Sequence, residues 1–285
     1  MSQHDRRVHA YRADLADVAL RGQVEAARFV APQPHHLAVS LADLHRAPRA
    51  DAEVESQALF GETLQVFDTA GGWAWVQLAE DGYVGYLRAE ALKPGTLDAT
   101  HRVWATSTPL FPQATLKAPT RQFLYFWSSV RVIGESGRYA EIEGGGWLWK
   151  DHLRPLDARE ADYVATAQRF LEAPYLWGGK TSRGLDCSAL QQLALRAAGY
   201  PAARDSDMQW ADGGPGLGQV LAPDSPRRRG DLLFWRGHCA IALDEQRILN
   251  ATAGHLATVI EPFDEIDGRA RQDSPEGLLG VRRLA

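Results

Sequence analysis

From residue 55 to 155, short apolar runs alternate with polar positions and are broken repeatedly by glycine. Residues 63–67 run into Ala70-Gly71-Gly72, residues 73–78 end at Asp81-Gly82, and residues 83–87 follow. A period of two bounded by glycine turns predicts antiparallel strands. The pattern recurs at residues 130–133, 139–142 and 147–149, separated by Gly134, Gly137 and Gly144-Gly145-Gly146. Leu64 to Trp73 is nine residues, and so is Val130 to Tyr139. This predicts two degenerate copies of one small all-β barrel, 36–95 and 96–155, meeting near Pro94-Gly95. Ahead of them, residues 1–35 read as an extended lead-in with a short helix, and His35-His36 fall in a Pro-flanked loop.

Beyond Pro155 the period changes. Val164, Ala165, Phe170 and Leu171 predict a helix over 158–172 that stops at Ala173-Pro174. Leu190, Leu193, Ala194 and Ala197 predict a second helix over 187–198, with Asp186 at the N-cap and Gly199 closing it. Strand-like runs follow at 232–235, 239–243 and 248–251. Helices first and strands later predict an α+β domain with an antiparallel sheet over 156–285.

Composition narrows the function classes. The chain has 285 residues, 45% hydrophobic and 24% charged, enough to bury real cores. Its longest apolar runs fall well short of the roughly 18–20 residues of a membrane helix. The net charge of −5 offers no global basic field to nucleic acid or anionic lipid, so neither is expected as a partner. Arg227-Arg228-Arg229 reads as a solvated loop. Asp14 and Asp17 interrupt the N-terminal stretch, which predicts no secretory signal and a cytoplasmic location. The two cysteines, Cys187 and Cys239, form no CxxC pair and suit a reducing compartment. No metal or other cofactor is expected: there is no HExxH, and His35-His36 lack an acidic partner at ligand spacing.

Candidate chemistry centres on Cys187. It opens a predicted helix behind the glycine-containing loop 177–180, where the N-terminal dipole lowers a thiol pKa. The alternative is a buried, inert cysteine. A base is available in His238. In a hairpin centred on Asp244, cross-strand partners sum to 488, which pairs His238 with Asn250. A polar acceptor beside an imidazole fixes its tautomer, as a cysteine–histidine catalytic pair requires. The alternative is a strand-end histidine of no special role. Cys239, next along the strand, is expected on the opposite face and structural.

Several ordered motifs then carry a resemblance: 174–179 (Pro-Tyr-Leu-Trp-Gly-Gly), 184–188 (Gly-Leu-Asp-Cys-Ser), 229–235 (Arg-Gly-Asp-Leu-Leu-Phe-Trp) and Gly237-His238. Over 156–285 the chain resembles the NlpC family of papain-like cell-wall cysteine peptidases. The glycine-punctuated, Trp/Tyr-rich copies ahead of it resemble bacterial SH3-like domains. The fold implied is an α+β papain-like (NlpC-type) domain preceded by two small all-β SH3-like barrels. The resemblance implies Cys187 as nucleophile, His238 as base, Asn250 as the orienting residue, and Tyr175 with the Cys187 amide as oxyanion donors. Ala189 stands where the family usually has glycine, Asn250 where histidine is commoner, and Cys239 where an aliphatic residue is usual.

Tandem SH3-like units further resemble the cytoplasmic γ-D-glutamyl-L-diamino acid endopeptidases of murein peptide recycling. That implies a peptidoglycan-derived peptide, L-Ala-γ-D-Glu-diamino acid, as substrate. Within 204–209 (Arg-Asp-Ser-Asp-Met-Gln), Asp205 would pair with its ammonium and Ser206 with its backbone. Trp177 would wall the groove, and Asp186 and Ser188 would join the substrate-binding set. From the first barrel, Glu62 and Tyr83 would complete an amine pocket. Three other readings stay open: a thioester-forming amidase or acyltransferase on another amide, a non-catalytic wall-peptide binder, and an extracellular wall hydrolase.

Overall fold

In a computed structural model that describes residues 4–120, 122–211 and 217–284, the chain divides into two compact units, Met1–Leu156 and Asp157–Ala285. In the first unit, a seven-stranded sheet runs in the order Val54–Leu59, Leu41–His45, Val84–Arg88, Trp73–Leu78, Thr63–Ala70, Gln33–Leu37, Leu92–Pro94. Every pairing in it is antiparallel. Alternation sends Leu37, Leu44, Leu64, Val76, Leu78 and Leu87 into one core. Each such burial contributes about 1.5–3 kcal/mol relative to exposure. Gly85 is required by close approach, since a Cβ there would stand 2.6 Å from Leu44 Cγ.

The second barrel, built from strands between His101 and Pro155, breaks into a three-stranded sheet, a two-stranded one and a further three-stranded one. Val103, Leu124, Val130, Ile142, Leu148 and Leu153 form its own core. It adjoins the first barrel at Gly61, whose φ of +73° and approach to the Ser129 carbonyl leave no room for a Cβ. The Ser129 N–H donates to the Phe60 carbonyl at 2.8 Å there.

Two details of the lead-in differ from expectation. The short helix is one 3₁₀ turn, Val18–Leu20, capped by Asp17, with too few residues in register for an α-helix. His35 and His36 lie in the Gln33–Leu37 strand, not in a loop, because its edge-side neighbour Leu92–Pro94 comes back to pair with it. Their Nδ1 atoms contact the carbonyls of Gln33 and Gly95. The lead-in is held to the barrel by Arg12, which stacks 4.3 Å from the Trp75 ring centroid and binds Asp68 at 2.8 Å.

In the second unit, a six-stranded antiparallel sheet runs Gln219–Leu221, Gly280–Arg283, Leu232–Trp235, His238–Ala242, Arg247–Thr252, Ala257–Pro262. Helix α1 spans Tyr163–Gln168 and is shorter than its periodicity suggested. Asp162 caps it, and the chain leaves helical geometry before Glu172, which takes φ +67°. Helix α2, Cys187–Ala197, is buried along its whole length and ends where Gly199 adopts φ +88°. It packs on the His238–Ala242 and Arg247–Thr252 strands. The short α3, Ser206–Ala211, lies against α2 and the His238–Ala242 strand. Helix α4, Phe263–Asp273, packs Phe263 and Ile266 on Trp235, Ala240, Ala242 and Ile248. No helix among the described residues is long and apolar enough to cross a membrane.

Candidate active site

The site is built on the first turn of α2. Asp186 caps the helix by accepting from the Ala189 N–H at 2.8 Å, and its other oxygen accepts from the Gly178 N–H at 3.0 Å. Arg204, only 1% exposed, binds both carboxylate oxygens at 3.0 and 2.7 Å and also donates to Ser188 Oγ at 3.0 Å. Ser188 Oγ in turn donates to Asp186 at 3.1 Å. Asp186 and Ser188, expected in the substrate-binding set, thus also hold the start of α2 in place. Both side chains are buried. Gln209 completes the frame from α3, donating to the carbonyls of Ser188 at 3.0 Å and Ala203 at 2.8 Å. Its Oε1 accepts from Gln191 at 3.0 Å and lies 3.8 Å from the Cys239 sulfur.

Cys187, 7% exposed, is thereby aimed from a helix N-terminus towards the sheet. Its thiol is held well below the ordinary range, first by a hydrogen bond from Cys239 and then by the charge and hydrogen bond of His238; burial and Asp186 oppose this. His238 is raised. Burial pulls it down, but the Cys187 thiolate, the Asn250 hydrogen bond and the Glu261 charge outweigh that. The two shifts describe a thiolate–imidazolium pair.

His238 Nε2 lies 3.1 Å from Asn250 Oδ1, and Asn250 Nδ2 donates to Glu261 Oε1 at 2.9 Å. A carboxylate only accepts, so Glu261 fixes the amide with its oxygen towards the imidazole. Nε2 must then carry a proton, and Nδ1 is left to face Cys187. The expected hairpin register is off by two. Ile241 pairs with Leu249 and Ala242 with Ile248, so partners sum to 490. The turn is one residue later than Asp244, because the Asp244 side chain caps the backbone N–H groups of Gln246 and Arg247 at 2.9 and 2.7 Å. Asn250 reaches His238 diagonally, a contact open to polar side chains on one face.

Cys239 follows His238 along the strand. It is fully buried, yet its thiol hydrogen-bonds that of Cys187 and is pushed well above the ordinary range by burial and by that neighbour. α2 packs against the strand that carries both residues, so the helix's first residue meets Cys239 as well as His238.

Tyr175 is half-buried, its N–H bonded to the Leu256 carbonyl at 2.9 Å, and burial and then the Cys187 charge raise its phenol. A neutral phenol is what an oxyanion donor requires. Trp177 is 66% exposed beside the buried Gly178-Gly179, a position suited to a groove wall. Asp205 and Ser206 are half-buried at the entry to α3, directly after Arg204.

Glu62 and Tyr83 belong to the first unit. Glu62 is buried there, and its carboxylate accepts from the Leu59 N–H at 2.9 Å, which gives it a structural use inside the barrel. The Tyr83 hydroxyl instead approaches Glu55 at 3.5 Å. Among the described residues, no group of His, Cys, Asp and Glu has the arrangement of a metal site.

Glu261, Arg204 and Gln209 were not singled out from sequence. Glu261 and Arg204 left a faint signal as charges within apolar or motif segments whose burial only the fold reveals.

Residues 172–267 match the NlpC/P60 family, and residues 44–92 match the bacterial dipeptidyl-peptidase Sh3 domain. The chain thus carries an NlpC/P60 papain-like domain and an N-terminal SH3-like domain. It is 25% identical over 279 residues to dipeptidyl-peptidase 6 of Lysinibacillus sphaericus, covering 86% of this chain and 97% of that one. It is 27% identical over 199 residues to a gamma-D-glutamyl-L-lysine dipeptidyl-peptidase of Bacillus subtilis, covering 65% of each. An NlpC/P60 family protein from Bacillus cereus has the same fold, with a TM-score of 0.71 at 20% identity over 88% of this chain and 99% of that one. Domain and relatives together support a peptidase role.

Proposed function

We propose that the chain is a cysteine endopeptidase that hydrolyses the γ-D-glutamyl-L-diamino acid bond of peptidoglycan stem peptides with a free N-terminal L-Ala, in cytoplasmic murein recycling. The observation that carries it is the ordered line Cys187, His238, Asn250, Glu261, with its depressed thiol and raised imidazole. The Cys187 thiolate attacks the γ-glutamyl carbonyl carbon. The developing oxyanion is met by the Cys187 N–H and the Tyr175 hydroxyl. His238 Nδ1–H protonates the departing amine, leaving a thioester, and then takes a proton from the water that hydrolyses it. Trp177 walls the peptide. Asp205 and Ser206 take the free L-alanine end, and Glu62 and Tyr83 are the first unit's candidates for the amine pocket.

The test is incubation with L-Ala-γ-D-Glu-diaminopimelate and with its N-acetylated twin, followed by mass spectrometry. Cleavage of the free-amine peptide alone, abolished by Cys187→Ala, is expected. Equal cleavage of both would keep the peptidase and remove the amine-reading roles of Asp205, Glu62 and Tyr83. Cleavage of neither would overturn the reading and favour an acyltransferase or binding role.

A further inference from the structure

The chain has only two cysteines, far apart in sequence, and the fold brings them together. Cys187 opens α2, and Cys239 follows His238 on a strand against which α2 packs. Both are free, and their thiols share a hydrogen bond. A second tie fixes the approach. Gln209 donates to the carbonyl of Ser188, the residue after Cys187, at 3.0 Å, and its Oε1 stands 3.8 Å from the Cys239 sulfur. One buried side chain thus holds both the start of the nucleophile's helix and the second sulfur.

Hydrolysis as described above consumes no bond at Cys239. A sulfur held against a reactive thiolate is nevertheless placed for one reaction that an aliphatic side chain could not perform. A thiolate open enough to attack a carbonyl is also open to a hydroperoxide, and its first oxidation product is a sulfenic acid. A sulfenic acid is short-lived beside a thiol, because the thiol sulfur displaces its hydroxyl. Without such a thiol, further oxidant carries it on to the sulfinic acid, which ordinary thiols do not reduce.

Access sets the order of events. Cys187 is 7% exposed and Cys239 0%, so oxidant meets Cys187 first and Cys239 is reached from within the protein. Charge points the same way. Burial first, and then the neighbouring Cys187, hold the Cys239 thiol well above its ordinary range. Converting the Cys187 thiolate to a neutral sulfenic acid removes the charge that opposed ionisation of Cys239. The second sulfur therefore becomes a better nucleophile at the moment its attack is needed.

We propose that Cys239 is the resolving cysteine of Cys187, so that a hydroperoxide converts the pair reversibly to an intramolecular disulfide instead of destroying the nucleophile. With hydrogen peroxide, the Cys187 sulfur attacks one oxygen, the O–O bond breaks, and the leaving hydroxide takes the His238 imidazolium proton to become water. The Cys239 sulfur then attacks the Cys187 sulfur, the S–O bond breaks, and the hydroxyl leaves as water with the Cys239 proton. Each sulfur has lost one electron and the peroxide has gained two. Two thiol molecules reverse the link, the first attacking the more accessible Cys187 sulfur and the second releasing it. It rests on Cys187 being the reactive thiolate and is independent of which peptide the site cleaves.

The test treats the full chain with hydrogen peroxide, blocks remaining thiols with an alkylating agent in denaturant, and reads mass and peptide map. The wild type should lose about 2 Da, take up no alkyl group, and yield one peptide pair joined through Cys187 and Cys239. Hydrolysis of L-Ala-γ-D-Glu-diaminopimelate should be lost with the link and regained on adding dithiothreitol. In Cys239→Val the same dose should add about 16 and then about 32 Da at Cys187. Activity recoverable by dithiothreitol should then fall on the order of tenfold relative to the wild type. Cys187→Ala supplies a measurement that needs no change at Cys239: with the first sulfur gone, Cys239 should stay reduced. Three results overturn the pair: sulfinic acid at Cys187 of the wild type with no joined peptide, a link formed only between two chains, or oxidation of Cys239 undiminished in Cys187→Ala. A joined peptide in a wild type that, when reduced, hydrolyses no stem peptide upholds the pair and overturns the peptidase specificity.

Discussion

Two polar networks meet at Cys187, and they are built on opposite plans. The one at the start of α2 is closed. Asp186, Ser188, Arg204 and Gln209 are all buried and satisfy one another within a few ångströms. The one behind His238 is graded, passing from Asn250 through buried Glu261 to Arg269, which is 39% exposed, and to His255 at 3.5 Å. The closed network fixes a backbone, namely the helix N-terminus and the amide of the nucleophile. The graded network fixes a proton, by deciding which imidazole nitrogen carries it. A frame can be sealed from water. A proton carrier needs a line of acceptors of fixed sense, and that line can end in solvent.

The strongest way to break this contrast is Arg204→Ala. It strands the Asp186 carboxylate inside the protein with its charged partner gone, so a loss of about 3–5 kcal/mol is expected in denaturant unfolding. Arg204→Lys should recover only part of it, because one ammonium cannot reproduce the fork on both oxygens. Arg269→Ala, at the solvent end of the other network, should cost less, about 1–3 kcal/mol, because Asn250 and His255 stay beside the buried Glu261 carboxylate and water can take the place of the half-exposed guanidinium. Equal losses at the two arginines would mean that the networks do not differ as described.

Asn250→Ala comes next. With no acceptor at Nε2, the imidazole loses its fixed tautomer, and kcat should fall by about 10²-fold with KM little changed. Glu261 acts one step further out, as a positioning residue. Glu261→Leu frees the Asn250 amide to turn its NH₂ towards His238, and should reproduce part of the Asn250→Ala loss in kcat. Glu261→Gln can still accept from Asn250 and should keep most of the rate. A Glu261→Gln variant as slow as Glu261→Leu would make the charge, and not the amide orientation, the operative feature.

The two networks were also unequally legible in the sequence. The α2 start was readable because its signals are local: Asp186 is the residue before the helix, and capping is decided within four positions. The same locality hid the partner of Asp186, since a motif does not show that its carboxylate meets a buried arginine eighteen residues away. The His238–Asn250 contact was named correctly from a register that was wrong by two. One misplaced turn residue shifts partners along the strand, while the alternation of faces survives a shift of two. Glu261 lay beyond reach because its meaning depends on a third strand, Ala257–Pro262, which brings it beside Asn250 only once the sheet is assembled. The barrels show the same limit. Their strands were legible from glycine-bounded alternation, but nothing local in the sequence shows that Glu62 accepts from the Leu59 N–H while Glu55 lies 3.5 Å from the Tyr83 hydroxyl.

The smallest expected effect bears on the point where the two networks touch. Cys239 contacts Gln209 of the closed network at 3.8 Å and the Cys187 thiol beside the graded one. Activity requires Cys187 as thiolate and His238 as imidazolium. Because the thiol is lowered, the acid limb of kcat/KM should lie well below the ordinary thiol value of about 8.5; because the imidazole is raised, the alkaline limb should lie above its ordinary value of about 6.5. These limbs belong to the coupled pair, not to either residue alone. Cys239→Val removes the leading hydrogen bond to the thiolate while keeping an apolar side chain of similar size. The acid limb should then move up by about half to one pH unit, with the plateau rate nearly intact, as read from a full pH profile of peptide hydrolysis. A shift downward, or a lost plateau with an unmoved limb, would show that Cys239 serves packing alone, and that the helix N-terminus and His238 suffice to hold the thiolate.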